Sequence, residues 1–256
     1  MATEPYSRSR LSTYEKCPYR YKLQYIDQLE VEERMGIEAF TGTLVHESLE
    51  HLYTRARDGE VVPWEELVAR LRGRWDELLN DSVVVIRPGV TRQDYLFKAQ
   101  NMLMSYYRRH RPFNDGVTVG LEHELRFQIA GRREHEFIGY IDRLSYLGKG
   151  VYEIHDYKTG RRLPAPRDLR QDRQLALYEI GVRRTFPDVR EVRLIWHYLA
   201  HDKELRSSRT PAELEAVERN AAGLIEEIEA CESFPRREGP LCRWCEYCEV
   251  CREAAP

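Results

Sequence analysis

Between Gly139 and Gly160 the chain reads GYIDRLSYLGKGVYEIHDYKTG, and three of its side chains could do chemistry together. Asp156 and Lys158 stand two residues apart, and side chains at i and i+2 of a strand point to the same face. Gly148-Lys149-Gly150, between two apolar runs, predicts a hairpin that brings Asp142 beside Asp156. Two carboxylates on one patch offer hard oxygen ligands suited to Mg²⁺ or Mn²⁺, and such an ion activates water and offsets charge on a phosphate. A nearby ammonium stabilises the same transition state or orients the water. Spacing alone also describes ion pairs on an exposed sheet face, which contribute little. Two features argue against that reading. Ile154 and His155 interrupt an otherwise polar side, which predicts Asp156 at a strand end beside a cleft. Thr159-Gly160 then lead into residues 158–173, where Lys158, Arg161, Arg162, Arg167, Arg170 and Arg173 give a local net charge of +4, a track for a phosphate backbone.

A second cluster is built of thiols. Cys242, Cys245, Cys248 and Cys251 fall within ten residues, while Cys17 stands alone near the start and Cys231 ends a helical stretch. In an intracellular chain such a cluster points to metal rather than to disulfides. Close spacing also makes bridges among these four strained. Zinc and iron–sulfur both remain open on this spacing.

The elements that must position these residues follow from periodicity. Ser12-Thr-Tyr-Glu15 reads as a capping box opening a helix toward Ile26, with Pro18 in its first turns. Residues 38–57, a stretch from Pro63, and 91–110 show helical spacing. The period then changes. Residues 117–129, 134–147 and 151–158 alternate as strands, 168–185 return to a helix, 190–199 and 204–209 read as strands, and 211–232 form an acidic helix with a net charge of −6. This order predicts an α/β core preceded by a helical insertion.

The stretch around Asp142 and Asp156 resembles the core of the PD-(D/E)xK nucleases, in particular the RecB-type branch. That branch includes the CRISPR-associated iron–sulfur exonucleases and the nuclease domain of AddB-type helicase–nucleases. The resemblance rests on "G-x-I-D-R" around Asp142, on "D-Y-K-T-G" from Asp156 through Lys158, on Gly42-Thr-Leu-Val-His46, and on Gln174 with Tyr178 at i and i+4. It implies a restriction-endonuclease-like mixed sheet flanked by helices. It also implies that His46, Asp142, Asp156 and the backbone carbonyl of Tyr157 hold the Mg²⁺ or Mn²⁺. Lys158 would assist the attacking water, and Gln174 and Tyr178 would hold the lysine or the DNA strand. Iron–sulfur members of the branch carry a Cys-Pro before the histidine helix and a C-x2-C-x5-C near the end. Cys17-Pro18 with Cys242, Cys245 and Cys251 fit this, implying a [4Fe–4S] cluster that staples residues 234–252 to Cys17. Cys248 is an extra thiol inside the x5 gap, so a purely local ligand set that includes it stays open.

The resemblance spans roughly residues 10–252, and residues 58–115 carry no motif. They are expected to form a helical cap, inside one nuclease domain over 1–256, that helps enclose a single strand. Tyr14, Tyr19, Tyr21, Tyr95, Phe97, Tyr106 and Tyr107, interleaved with basic residues, could stack bases, or could be core. The whole chain supplies exclusions. It has 256 residues, 32% of them charged and 11% aromatic, a net charge of −3, and no long apolar run. Its mean hydropathy is −0.64. These values argue against disorder and against a membrane span. The N-terminus lacks the apolar centre of a signal peptide. The expectation is therefore a cytoplasmic, metal-dependent DNA nuclease, an exonuclease on single strands in repair, recombination or CRISPR adaptation. Its partners would be DNA and helicase or adaptation proteins. The competing expectations are a DNA-binding subunit active only with a helicase and a zinc-binding nucleic-acid module.

Overall fold

The computed structural model describes residues 4–31, 34–240, 242 and 245–253. In chain order the elements are β1 (Tyr6–Ser7), α1 (Arg8–Lys16), α2 (Pro18–Tyr21) running into a π-helical turn Lys22–Ile26, β2 (Met35–Gly36), α3 (Ile37–Arg57), α4 (Trp64–Leu78), β3 (Val83–Val84), α5 (Arg92–His110), β4 (Val117–Ala130), β5 (Glu134–Tyr146), β6 (Val151–Lys158), α6 (Pro166–Arg170), α7 (Arg173–Thr185), β7 (Glu191–Tyr198), β8 (Lys203–Ser207), α8 (Pro211–Ala230) and α9 (Cys248–Glu253). The chain forms two compact units, one of residues 35–125 and 140–211, the other of residues 1–34, 126–139 and 212–256. Among the described residues no helix is long and apolar enough to cross a membrane.

In the larger unit the sheet is mixed. β5 runs antiparallel to β6 with Arg143 opposite His155, β6 runs parallel to β7 from Val151↔Glu191 to Lys158↔Tyr198, and β7 runs antiparallel to β8. Parallel neighbours need a crossover, and α6 and α7 provide it. β6 lies between two strands and is buried along nearly all its length, so the exposed-face reading of Asp156 and Lys158 does not hold. The tight turn before β6 needs glycine. Gly150 has φ +78°, and a Cβ there would meet the Asp188 carbonyl oxygen at 2.2 Å.

α3, α4 and α5 share one core. Leu44, Leu49 and Leu52 of α3 pack with Leu67 and Leu71 of α4, with Leu103 and Tyr106 of α5, and with Tyr157 of β6. Residues 58–115 therefore contribute to the core beneath the site strand. Tyr95, Tyr106 and Tyr107 are buried there, and Tyr14 and Tyr21 are buried in the smaller unit, so these five rings are packing residues and not stacking platforms. Their hydroxyls find partners inside: Tyr53 and Tyr106 share a hydrogen bond of 2.7 Å, and Tyr107 donates to the Val62 carbonyl. Phe97 remains 61% exposed.

In the smaller unit β1 adds parallel to β5 at Tyr6↔Phe137. This fixes the chain just before α1, and Ser7 Oγ accepts from the Arg10 N–H. The helix thus starts at Arg8, directly after β1, and Ser12 lies inside it instead of capping it. The stretch expected as one helix over 168–185 divides in two, because Asp172 Oδ1 accepts from the Leu175 N–H and starts α7 anew. The acidic face of α8 is partly structural. Glu218 and Glu226 accept backbone N–H bonds from Ala130 and Arg132, and Glu227 accepts from Tyr14.

Candidate active site

The end of β6 carries the site. Alternation sends His155 and Tyr157 toward α5, where the Tyr157 hydroxyl meets Tyr106, and sends Asp156 and Lys158 toward α7. Lys158 Nζ donates to Asp156 Oδ1 (2.9 Å) and to Gln174 Oε1 (3.3 Å). The Gln174 amide donates to the same Asp156 oxygen (3.1 Å) and reaches the Tyr178 hydroxyl (3.5 Å). One turn of α7 thus clamps the lysine and the carboxylate together. Burial holds the Tyr178 phenol protonated, pushed up to about 12, with the Asp156 charge adding to the effect.

Asp142 approaches from β5. Its Oδ2 accepts the Tyr157 N–H at 2.6 Å, so its side chain takes the place of a ladder bond just beyond the Arg143↔His155 pair. α3 supplies His46, whose Nε2 lies 2.8 Å from the Tyr157 carbonyl oxygen and whose Nδ1 lies 3.6 Å from Asp142 Oδ2. The close approach of α3 depends on Gly42, one turn earlier. A Cβ there would meet Thr159 Oγ1 at 3.0 Å. The structure therefore brings together His46, Asp142, Asp156, the Tyr157 carbonyl, Lys158, Gln174 and Tyr178.

The electrostatics call for a cation. Burial first, and then the neighbouring Asp156 charge, push the Asp142 carboxyl up to about 7, against the opposing pull of the Tyr157 N–H and Lys158. Asp156 is 3% exposed, and its Oδ2 has no hydrogen bond, only the Lys158 ammonium at 2.7 Å. A buried and a half-buried carboxylate beside an imidazole and a backbone carbonyl fit a hard divalent ion. Glu122 joins them: ligand atoms of His46, Glu122 and Asp142 lie within 4.8 Å of one another. Its carboxyl is raised by burial, then by the Asp142 charge. Sequence reasoning missed Glu122, because strand alternation assigns it to the outward face. Its left-handed backbone, φ +42°, is a local departure that no spacing announces. Arg143, the arginine of the G-x-I-D-R stretch, has no role that its spacing assigns. It is buried, donates to the Tyr157 hydroxyl, Ser145 Oγ and His155, and lies over the Tyr53 ring at 4.0 Å.

The basic residues disperse. Arg161 is exposed and lines a cleft of about 780 Å³ with Lys98, Thr159, Gly160 and His201, alongside acidic Glu38 and Asp202. Arg162 is exposed and pairs with Asp168 at 3.5 Å. Arg173 opens α7 and is half-buried. The thiols all belong to the smaller unit. The Tyr19 N–H donates to the Pro235 carbonyl and Arg20 pairs with Glu246 at 2.8 Å, so the segment around Cys17 meets the segment around the C-terminal cysteines. The Cys251 thiol is raised by burial and, against the pull of Arg236, by Cys17, Cys242 and Cys248, and the Cys245 thiol by burial, then by the Glu246 charge and, more weakly, by Cys17. Leu241, Arg243 and Trp244, inside the expected 234–252 cluster, lie outside the described residues.

Comparison with known proteins agrees with this geometry. The model of the PD-(D/E)XK nuclease superfamily matches residues 5–252. One curated relative, a component of an ATP-dependent helicase/deoxyribonuclease from Carboxydothermus hydrogenoformans, is 27% identical over 186 residues, covering 60% of this chain. The chain spans only 16% of that relative's length. A crystal structure from Eubacterium rectale, provisionally described as an exonuclease, superposes with a TM-score of 0.56 at 15% identity, covering 99% of this chain and 89% of the other. It shares the fold. With a family match over nearly the whole chain, and a mixed sheet that gathers the motif residues at one strand end, the chain belongs to the PD-(D/E)XK nuclease superfamily.

Proposed function

We propose that this chain is a divalent-metal-dependent deoxyribonuclease that degrades single-stranded DNA from an end. The observation that carries the reading is the convergence of His46, Asp142, Asp156 and Lys158 at the end of β6, where the buried Asp156 and the half-buried Asp142 face one ion's reach. His46, Asp142, Asp156 and the Tyr157 carbonyl would hold Mg²⁺ or Mn²⁺, with Glu122 as a further ligand. A bound dication supplies charge stabilisation on the phosphate and lowers the pKa of water. Lys158, clamped by Asp156 and Gln174, assists the attacking water, and Tyr178 holds Gln174 in place. The cleft beside Thr159–Arg161 receives the strand, with Lys98 and Arg161 as phosphate contacts and Arg162 and Arg173 flanking them. α4 and α5 act as the cap. Cys17, Cys242, Cys245 and Cys251 bind a [4Fe–4S] cluster. The contacts that bring the Cys17 segment to the C-terminal cysteines, with Cys17, Cys242 and Cys248 near enough to raise the Cys251 thiol, support a shared ligand group, in which Cys248 is the competing fourth ligand and zinc the competing metal.

The test is cleavage of end-labelled single- and double-stranded DNA by oxygen-free protein with Mn²⁺, Mg²⁺ or EDTA. Metal-dependent loss of label from single strands supports the proposal, and the labelled end gives polarity. Absence of cleavage with either metal, from protein that retains its cluster, overturns it. One observation favours a second reading, a nuclease component active only with a helicase: the curated relative belongs to a helicase/deoxyribonuclease, and this chain spans a small part of it. Cleavage by the isolated chain excludes that reading.

A further inference from the structure

Across the sheet from the carboxylates, three side chains that the nuclease reading does not use converge. His110 ends α5, His197 lies on β7, and Glu204 lies on β8. Their ligand atoms lie within 4.8 Å of one another. Beside them a cavity of about 10 Å³, room for one water-sized particle, is lined by His110 and His197 with Met102, Tyr106, Arg109 and Lys203, while Glu204 stands outside its wall.

The hydrogen bonds around His197 set its tautomer. Arg143 Nη2 lies 3.0 Å from His155 Nδ1, and a guanidinium can only donate, so that nitrogen is an acceptor. His197 Nε2 lies 2.9 Å from the same nitrogen, and with its hydrogen on Nε2 it shares that single lone pair with Arg143. In the neutral ring this leaves a lone pair on Nδ1, which faces Glu204 Oε2 at 3.7 Å. The two acceptors face each other in a largely buried place. Glu204 Oε1 is already held by Arg206 at 2.6 Å, which anchors the carboxylate and leaves Oε2 toward His197. Asp115 stands 3.8 Å from Nδ1 of His110, placed to orient that ring, as carboxylates orient metal-bound imidazoles. Ligand atoms on a tetrahedral zinc stand roughly 3.3 Å apart, so the His197–Glu204 pair closes on an ion with a shift of a few tenths of an ångström.

We propose that His110, His197 and Glu204 form a second metal site, a three-ligand site for a zinc-class dication, separate from the His46–Asp142–Asp156 centre. It ties α5 to β7 and β8. Two imidazoles and one carboxylate suit zinc better than magnesium, which prefers oxygen ligands throughout.

The test uses the full chain, purified with its cysteine site intact, stripped of loosely bound metal and dialysed against Zn²⁺ alone. Bound zinc per chain and the zinc-dependent rise in unfolding temperature are the readouts. Glu204→Gln and His110→Gln are each expected to lose one equivalent of zinc and most of the temperature rise, while the remote surface variant Arg132→Ala keeps both. Equal zinc and equal stabilisation in the parent and in Glu204→Gln overturn the proposal. If His110→Gln fails to fold, Glu204→Gln on the edge strand β8 carries the comparison. Crystals of the parent soaked in Zn²⁺ decide independently. An anomalous peak among the three side chains supports the site, and zinc found only elsewhere overturns it.

Discussion

Asp142 and Asp156 have neighbouring sequence environments and different physical states. Asp156 has an ammonium and an amide on its Oδ1, whereas Asp142 has one backbone N–H and a like charge nearby. The raised Asp142 carboxyl makes a pH prediction. Its folded value of about 7 exceeds the ordinary 3.8, so the metal-free fold binds a proton that the unfolded chain has lost. Stability of the metal-free protein should therefore fall as pH rises from about 4 to 7 and level off above. Metal must displace that proton. Calorimetry in buffers of differing ionisation heat should detect nearly one proton released per Mg²⁺ at about pH 6 and close to none at about pH 8.5. A pH-independent proton count would show that Asp142 is not the titrating ligand. Asp156→Asn should lower metal-dependent cleavage by about 10³-fold or more, since several kcal/mol of charge stabilisation depend on the ion. Arg132→Ala, at a side chain 89% exposed, should cleave like the parent. Gel quantification of both variants makes the comparison.

At the scale of elements, the site depends on how closely α3 lies against the end of β6. Gly42 permits that approach, and Thr159 Oγ1 is the atom a methyl group would meet. Glycine inside a helix otherwise costs about 1 kcal/mol relative to alanine. Gly42→Ala in a Thr159→Ala background should therefore gain up to about 1 kcal/mol in denaturant unfolding, while Gly42→Ala alone should gain less. Mg²⁺ affinity should drop only in the single variant, where α3 and His46 are pushed outward. Identical gains in both backgrounds would remove the steric account. The core below is less forgiving. Leu49 is 1% exposed within the α3–α4–α5 cluster, and Leu49→Ala should lose about 2–5 kcal/mol in the same assay.

At the scale of the whole molecule, the larger unit contains every candidate catalytic residue and the smaller contains every cysteine. The proposed cluster would join Cys17 to ligands more than 220 residues later. In the chain-entropy view, a link closing so long a loop stabilises by about 4 kcal/mol or more. Cys17→Ser should lose its iron and lower the unfolding temperature of oxygen-free protein, and Cys248→Ser should keep both. Iron retained without Cys17 and lost without Cys248 would assign the cluster to the local set.

Much of this was readable in the order of residues. The Gly148–Gly150 turn dictates an antiparallel pairing, and once Arg143 faces His155 the two aspartates must be neighbours. Helix spacing places Gln174 under Tyr178, and Gly42 one turn before His46, because those relations are local and periodic. Tertiary structure alone decided the rest. It decided between stacking and core for the tyrosines: Tyr95, Tyr106 and Tyr107 are core, because α3, α4 and α5 needed apolar surface to cover β6. It recruited Glu122 through a left-handed backbone that alternation cannot show. It also set His197 against Glu204 across the β7–β8 pairing, and His110 beside them from a helix more than eighty residues earlier. Periodicity determines which face a side chain takes, and packing between distant segments determines what that face meets.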